Sequence, residues 1–207
     1  MKRFFGTFTS ALVLAALFAG GLPAQTYKQA VESTSATAAE TLKPRGDING
    51  LSNFAKVSDA LYRGAQPTKE GFAELKKLGV KTIINLRARH SDEEFIKGLE
   101  LNYFSIPINT WDLDNKHTAR FLSIVLDKAN QPVFVHCQHG SDRTGTMVAV
   151  YRVYAQKWKA EEAMKELPVF GFHKIWVNLK KYLTHLDIKK VEAEIHKLRE
   201  GAAVKKP

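Results

Sequence analysis

The segment His136-Cys137-Gln138-His139-Gly140-Ser141-Asp142-Arg143-Thr144-Gly145 brings a thiol, a guanidinium and a glycine into one short turn. Cys137 leaves the apolar run Val133 to His136, which reads as a buried strand, and Arg143 opens a largely apolar stretch to Gln156 that is long enough for a central helix. A tight loop between a strand end and a helix start turns free backbone N–H groups inward. It can therefore wrap an anion, and the helix dipole adds to the attraction. The same field favours thiolate over thiol at Cys137. Arg143 presents a planar fork that matches two phosphate oxygens, which a lysine could not do. Gly140 permits a backbone conformation or a close approach that a side chain would obstruct. The chemistry within reach is attack by sulfur on a bound phosphoryl group.

Two plainer readings of the same residues stand beside this one. Cys137 could be a buried structural cysteine, with Arg143 a surface charge and Gly140 a simple turn. His136, Cys137 and His139 are all metal-ligand types. Adjacent residues leaving a strand diverge, however, and Cys137 is the one cysteine in the chain, so no metal site is expected.

The elements that must position this turn are legible around it. Val57 to Ala65 reads as one or two short strands, and Thr68 to Leu78 as a helix with Phe72, Leu75 and Leu78 on one side, stopped at Gly79. Val80 to Leu86 is a buried-strand run. Ser91 and Glu94 have the spacing of a capping box opening a helix toward Leu99. Tyr103 to Ile108 reads as a strand broken by Pro107. The polar loop Asn109 to Lys116 precedes a helix carrying Phe121, Leu122, Val125 and Leu126. Two or three further helices are expected around Ala160–Glu166, Lys174–Leu186 and Val191–Arg199. Strands alternating with helices predict an α/β domain of three αβα layers, with a central, mainly parallel sheet. In such sheets ligands lie beyond the carboxyl ends of the strands. The turn at Cys137 is at such an end.

The chain as a whole sets the frame. Its 207 residues suffice for one well-buried domain. The formal charge of +10 favours acidic partners or serves as a solvated surface. Lys2 and Arg3 precede the apolar run Ala11 to Leu22 and then Pro23, Ala24 and Gln25, the pattern of a secretory signal peptide over residues 1–24. Residues 25–53 are rich in Ala, Thr, Ser and Gly and read as a flexible arm. The expected catalytic domain is 54–187, followed by a basic helical tail over 188–207 with Val191, Ile195 and Leu198 on one face. That tail reads as a helix docked on the domain rather than a membrane-surface anchor. Export, with a periplasmic destination, is the expectation. A lone thiol has no partner within its own chain to trap it as a disulfide.

The segment resembles the His-Cys-x5-Arg phosphate-binding loop of the cysteine-dependent protein phosphatases. A wider stretch, from Leu61-Tyr62-Arg63-Gly64-Ala65-Gln66-Pro67 through Asn85-Leu86-Arg87 to Asp142-Arg143-Thr144-Gly145, resembles the small dual-specificity branch found in bacteria, in which exported tyrosine phosphatases occur. The resemblance implies that Cys137 forms a phosphocysteine intermediate. Arg143 and the amides of Gln138, His139, Gly140, Ser141 and Asp142 would hold the phosphate oxygens. Thr144 would help the thiolate leave, and His136 would orient the loop. The family keeps a general-acid aspartate on a mobile loop upstream of the cysteine. Asp112 is the choice here, with Asp114 as the rival because it could instead cap the following helix. Asp142 is a third candidate.

No cofactor is implied. The expected partner is a phosphorylated protein, with no nucleic acid, with membrane contact only through an uncleaved leader, and with the protein a monomer. Relatives that act on phosphoinositides often carry extra lysines in the loop. Gln138, His139, Ser141 and Asp142 fit phosphotyrosine better than a highly charged head group. Inositol phosphates, a non-catalytic phosphate-binding module and a rhodanese-like sulfurtransferase stay as alternatives.

Overall fold

The computed structural model describes residues 42–203. Strands β1 (Ala55–Lys56), β2 (Leu61–Gly64), β3 (Thr82–Arg87), β4 (Asn102–Ile108) and β5 (Val133–His136) form one sheet in the order β1-β2-β5-β3-β4. The hairpin β1–β2 is antiparallel, and β2, β5, β3 and β4 are parallel neighbours. Helices α1 (Lys69–Lys77), α2 (Glu93–Ile96), α3 (Asn115–Val125) and α4 (Asp142–Gln156) alternate with the strands. Four more follow: α5 (Ala160–Met164), α6 (Glu166–Val169), α7 (Val177–Thr184) and α8 (Ile188–Ala203). The domain is α/β, with a mainly parallel sheet. Among the described residues no helix is long and apolar enough to cross a membrane.

Period-two alternation sorts the strand side chains into two cores. Ile83 and Phe134 face α1 and α2, where Phe72, Leu75 and Ile96 are buried. Ile84, Leu86, Val133, Val135 and Cys137 face the other way, against Phe121, Leu122 and Val125 of α3 and Met147 to Val150 of α4. Each large apolar side chain so buried stabilises the fold by about 1.5–3 kcal/mol. The alternation has a direct consequence at the end of β5. Cys137 points to the α4 side, and His136 points to the α1 side, stacked on Phe134 at 5.7 Å and edge-on to Phe72 at 6.3 Å.

Four expectations need correction. The arm ends earlier than residue 53: Leu51 is buried, Leu42 and Ile48 lie against the two cores, and Arg45 pairs with Phe54 in an isolated bridge. The domain boundary at 187 falls too early, because the docked tail helix buries Val191 and Ile195 in the α3–α4 core, while Leu198 stays 43% exposed. Pro107 does not break β4. The strand is at the sheet edge, and its pairing shifts between Asn85↔Ser105 and Arg87↔Ile108, so Ile106 and Pro107 form a bulge, the place in a sheet that tolerates a residue without an N–H. Ser91 does not cap a helix reaching Leu99. Asp92 is the N-cap of the four-residue α2, and Ser91 Oγ donates to the Glu93 carboxylate instead. The expected leader, the arm up to residue 41 and residues 204–207 lie outside the described residues.

Candidate active site

The turn between β5 and α4 is held from outside by its carbonyls. Gln66 N donates to Gln138 O (3.2 Å), Asn53 Nδ2 to His139 O (2.9 Å) and Arg63 Nη2 to Gly140 O (2.7 Å). With three successive carbonyls drawn outward, the intervening N–H groups face the interior of the loop. Among the described residues, the backbone N–H groups from Gln138 to Thr144 donate to no backbone carbonyl. The first to do so is Gly145, to Ser141 O at 3.0 Å. Unpaired donors gathered at a helix N-terminus make an anion site. Gly140 has φ +71° and lies directly on β2, where a Cβ would stand 2.6 Å from Ala65 N and Gly64 C. No L side chain fits there.

Arg143 reaches from the start of α4 toward the ends of the neighbouring strands. Its Nη1 donates to Ile108 O (3.2 Å) and more weakly to Leu86 O (3.5 Å), so β3 and β4 fix the guanidinium across the loop mouth. Arg143 Nε has no partner among the described residues. Thr144 is fully buried, and its Oγ1 likewise has none. Asp142 belongs to the loop by its backbone only. Its carboxylate accepts from His173 N (2.8 Å) and lies 2.9 Å from His173 Nδ1, which anchors the segment between α6 and α7. The side chains of Gln138 and His139 are exposed, and Ser141 is buried.

Behind the sheet, His136 Nε2 is 3.0 Å from Asp92 Oδ2, both residues being fully buried, and His136 Nδ1 is 3.3 Å from Cys137 O. Gln66 Nε2 donates to Asp92 Oδ1 (2.7 Å), and Arg87 Nη1 donates to Gln66 Oε1 (3.0 Å). Burial pushes the Asp92 carboxyl up. The hydrogen bond and charge of His136, the Gln66 amide and the nearby His90 together outweigh it and hold Asp92 below the usual carboxylate range. Gln66 thus ties Asp92 to the loop, since its backbone holds Gln138 O.

The two loop aspartates differ. Asp114 is the N-cap of α3: its Oδ1 accepts from His117 N (3.0 Å) and is 2.7 Å from His117 Nδ1. Burial raises the Asp114 carboxyl, but the His117 hydrogen bonds and charge more than offset it, and the net shift is downward. Asp112 is exposed beside Trp111, and its one backbone bond closes a turn on Asn109 O (2.9 Å). No side-chain hydrogen bond engages its carboxylate among the described residues.

The sequence matches the family described as "Tyrosine phosphatase family" over residues 50–202, well over half the chain. The chain belongs to the tyrosine phosphatase family. The matched region takes in Asn53 and nearly all of α8, in keeping with the corrected domain limits. Among relatives, the dual specificity protein phosphatase TpbA of Pseudomonas aeruginosa (strain UCBPP-PA14) is 32% identical over 144 residues, covering 65% of this chain and 64% of that one. Inositol diphosphatase DSP3 of Arabidopsis thaliana is 31% identical over 138 residues, covering 61% of this chain and 66% of that one. The chain thus spans just under two thirds of the length of these relatives. The crystal structure of P. aeruginosa TpbA superposes with a TM-score of 0.66 at 22% identity, over 78% of this chain and 99% of that one. The core catalytic domain of the PP-IP phosphatase SIW14 from S. cerevisiae gives 0.65 at 24% identity, over 74% and 96%. Both share the fold.

Within this tyrosine phosphatase family domain, the structure adds Asn53, Arg63, Gln66 and Asp92 to the residues expected from sequence. Arg63 and Gln66 stood in the wider stretch that carried the resemblance, without a role. Asn53 was placed in the arm, and its positive φ of 52° gave no sequence signal stronger than its residue type. Asp92 sits beside the misread capping box.

Proposed function

We propose that the protein is a phosphomonoester hydrolase acting through a phosphocysteine intermediate, with phosphotyrosine in a protein as its preferred substrate. The observation that carries this reading is the loop itself. Its carbonyls are pinned outward by Asn53, Arg63 and Gln66, and Arg143 is fixed across its mouth. Donors aimed in advance at phosphate oxygens stabilise the charge that shifts onto them in the transition state. Cys137 Sγ attacks phosphorus and the P–O bond to the leaving group breaks. The electron pair departs with that oxygen, which Asp112 protonates. Water then attacks phosphorus with Asp112 as base, the S–P bond breaks, and inorganic phosphate leaves. The unpartnered Thr144 hydroxyl is available to stabilise the departing thiolate. Asp112 is preferred over Asp114 and Asp142, whose carboxylates are committed to His117 and His173.

Metal-independent hydrolysis of p-nitrophenyl phosphate in the presence of chelator, lost in Cys137→Ser, is the expected result. Activity that survives the substitution refutes the nucleophile. The names of the relatives favour a second substrate class, since one is an inositol diphosphatase and one a PP-IP phosphatase. Against it, no loop side chain from Gln138 to Asp142 is a lysine or arginine. Higher kcat/KM on a phosphotyrosine peptide than on a diphosphoinositol phosphate is expected, and the reverse order would replace the substrate. Export rests on Lys2, Arg3 and the apolar run to Leu22. A mature protein beginning near Gln25 supports it, and one beginning at Met1 refutes cleavage.

A further inference from the structure

The loop's three outside donors are not equivalent. Two are neutral amides, and the third is the guanidinium of Arg63, which is 0% exposed. Arg63 leaves β2 toward the α4 side and stacks on the Phe170 ring, its Cζ 3.6 Å from the ring centroid. Nη2 is used on Gly140 O, while Nε and Nη1 have no partner among the described residues. Burying a cation in this way costs stability unless a countercharge is close. The nearby carboxylate is shared and makes no hydrogen bond to Arg63: Glu166 is gripped at two points by Arg152, with Nε to Oε2 at 3.1 Å and Nη2 to Oε1 at 2.8 Å, and favours the Arg63 cation only through space. A neutral donor stacked on Phe170 would hold Gly140 O and serve folding as well. The buried charge therefore points to a use beyond packing.

We infer that Arg63 is a positioning residue of the phosphate loop. It turns Gly140 O away from the anion site and supplies, from behind, a second positive charge that favours the Cys137 thiolate and the bound phosphate. The titratable groups coupled to Arg63 are Glu166 of α6, Cys137 at the end of β5 and Arg152 of α4. Burial pushes the Arg63 guanidinium down to about 9, with Glu166 and Cys137 pulling the other way, so the cation persists through neutral pH. Around Cys137 the other titratable groups of the loop and its strand are Arg143, Asp142, His139 and His136. Asp142 is taken by His173 and His136 by Asp92. Among the described residues neither Arg63 nor Arg143 makes an ion pair with a carboxylate, and the two flank the loop from opposite sides.

This inference rests on the phosphatase reading for its use, but its test needs no turnover. Cys137 is the sole cysteine, so the rate of alkylation by iodoacetamide reports that thiolate alone. Arg63→Gln keeps a donor for Gly140 O and removes the charge. The pH of half-maximal alkylation is expected to rise by about one unit, slowing the reaction about tenfold at acidic pH and leaving it unchanged at high pH. Tm should hold or rise. Arg63→Lys, which keeps the charge, should recover at least half of the shift. A Gln profile that superimposes on the parent's, or a Lys profile displaced as far as that of Gln, overturns the inference. If Arg63→Gln does not fold, Arg63→Met, which removes the donor together with the charge, reads the two roles jointly, and a Met profile that superimposes on the parent's overturns the inference. Alkylation that behaves as expected in a protein without hydrolytic activity would sink the phosphatase reading and leave this one standing.

Discussion

Two loops at the carboxyl edge of the sheet carry the proposed chemistry, and they are built in opposite ways. The phosphate loop after β5 has its carbonyls tied to Gln66, Asn53 and Arg63, its glycine pressed on β2 and Arg143 tied to β3 and β4. The loop after β4 has Trp111 72% exposed and an uncommitted Asp112 carboxylate, and it is fastened by a single turn, the Asp114 cap and a bond from Asn178 Nδ2 to Thr110 O at 2.6 Å. Electrostatic stabilisation requires donors that do not reorganise during reaction. Proton delivery requires a group that meets the leaving oxygen once substrate is bound. The molecule is tied down at many points where the proposed reaction binds charge and at few where it would deliver a proton.

The sharpest way to break this comparison is at its stiff side. Cys137→Ser should lower kcat by at least about 10⁴-fold while leaving Tm within a few degrees, because a hydroxyl fills the space of the thiol without its nucleophilicity. Gly140→Ala comes next. A methyl at φ +71°, 2.6 Å from the β2 backbone, forces the loop off Gly64 and Ala65. The expected cost is about 2–4 kcal/mol of stability and about 10²-fold in kcat/KM. If Gly140→Ala retains full activity in steady-state assays, the loop is not stiff in the sense argued here.

The stiff loop was also the more legible one. Cys137, Gly140 and Arg143 are neighbours in sequence, and the strand before them and the helix after them follow from local pattern, so β5 and α4 were placed to within a residue. What pins the loop was not legible. Asn53 and Arg63 act across 86 and 77 residues, and no periodicity records a contact at that range. The segment before Asn53 has few large apolar residues, yet Leu51 finds a pocket, so composition misassigned residues that a single buried side chain fixes. Asp92 was hidden for a related reason. Ser91 and Glu94 have the spacing of a capping box, and nothing local shows that the neighbouring carboxylate turns inward to His136. The fold class survived these misses because the alternation of Ile83, Ile84 and their neighbours in β5 sets both faces of the sheet at once.

On the loose side, Asp112→Asn and Asp114→Asn should separate cleanly. The first should lower kcat by about 10²-fold on alkyl phosphates, much less on p-nitrophenyl phosphate, with KM and Tm little changed. The second keeps an acceptor for His117 N and removes only the charge facing His117, so it should cost about 0.5 kcal/mol of stability and leave the leaving-group dependence intact. Swapped phenotypes would transfer the acid role to Asp114.

The smallest effect tests whether stiffness extends behind the sheet. Asp92 is fully buried and reaches the loop only through its partners. It fixes His136, and through Gln66 it shares the support of Gln138 O. Asp92→Asn should lower kcat only about fivefold and cost about 2 kcal/mol at neutral pH, the scale of losing one partner of a buried charged hydrogen bond. The pH dependence carries the diagnosis. A carboxyl held lower in the folded chain than in the unfolded one contributes stability above its unfolded value near 4, and that contribution fades as pH falls through the folded value. The stability gap between parent and Asp92→Asn, measured by urea unfolding, should therefore be widest near neutrality and close below about pH 4. A gap that is constant from pH 7 to pH 3 would mean that Asp92 is held by shape rather than by charge. The His136 side of β5 would then be ordinary core, and the stiffness of the site would end at the loop.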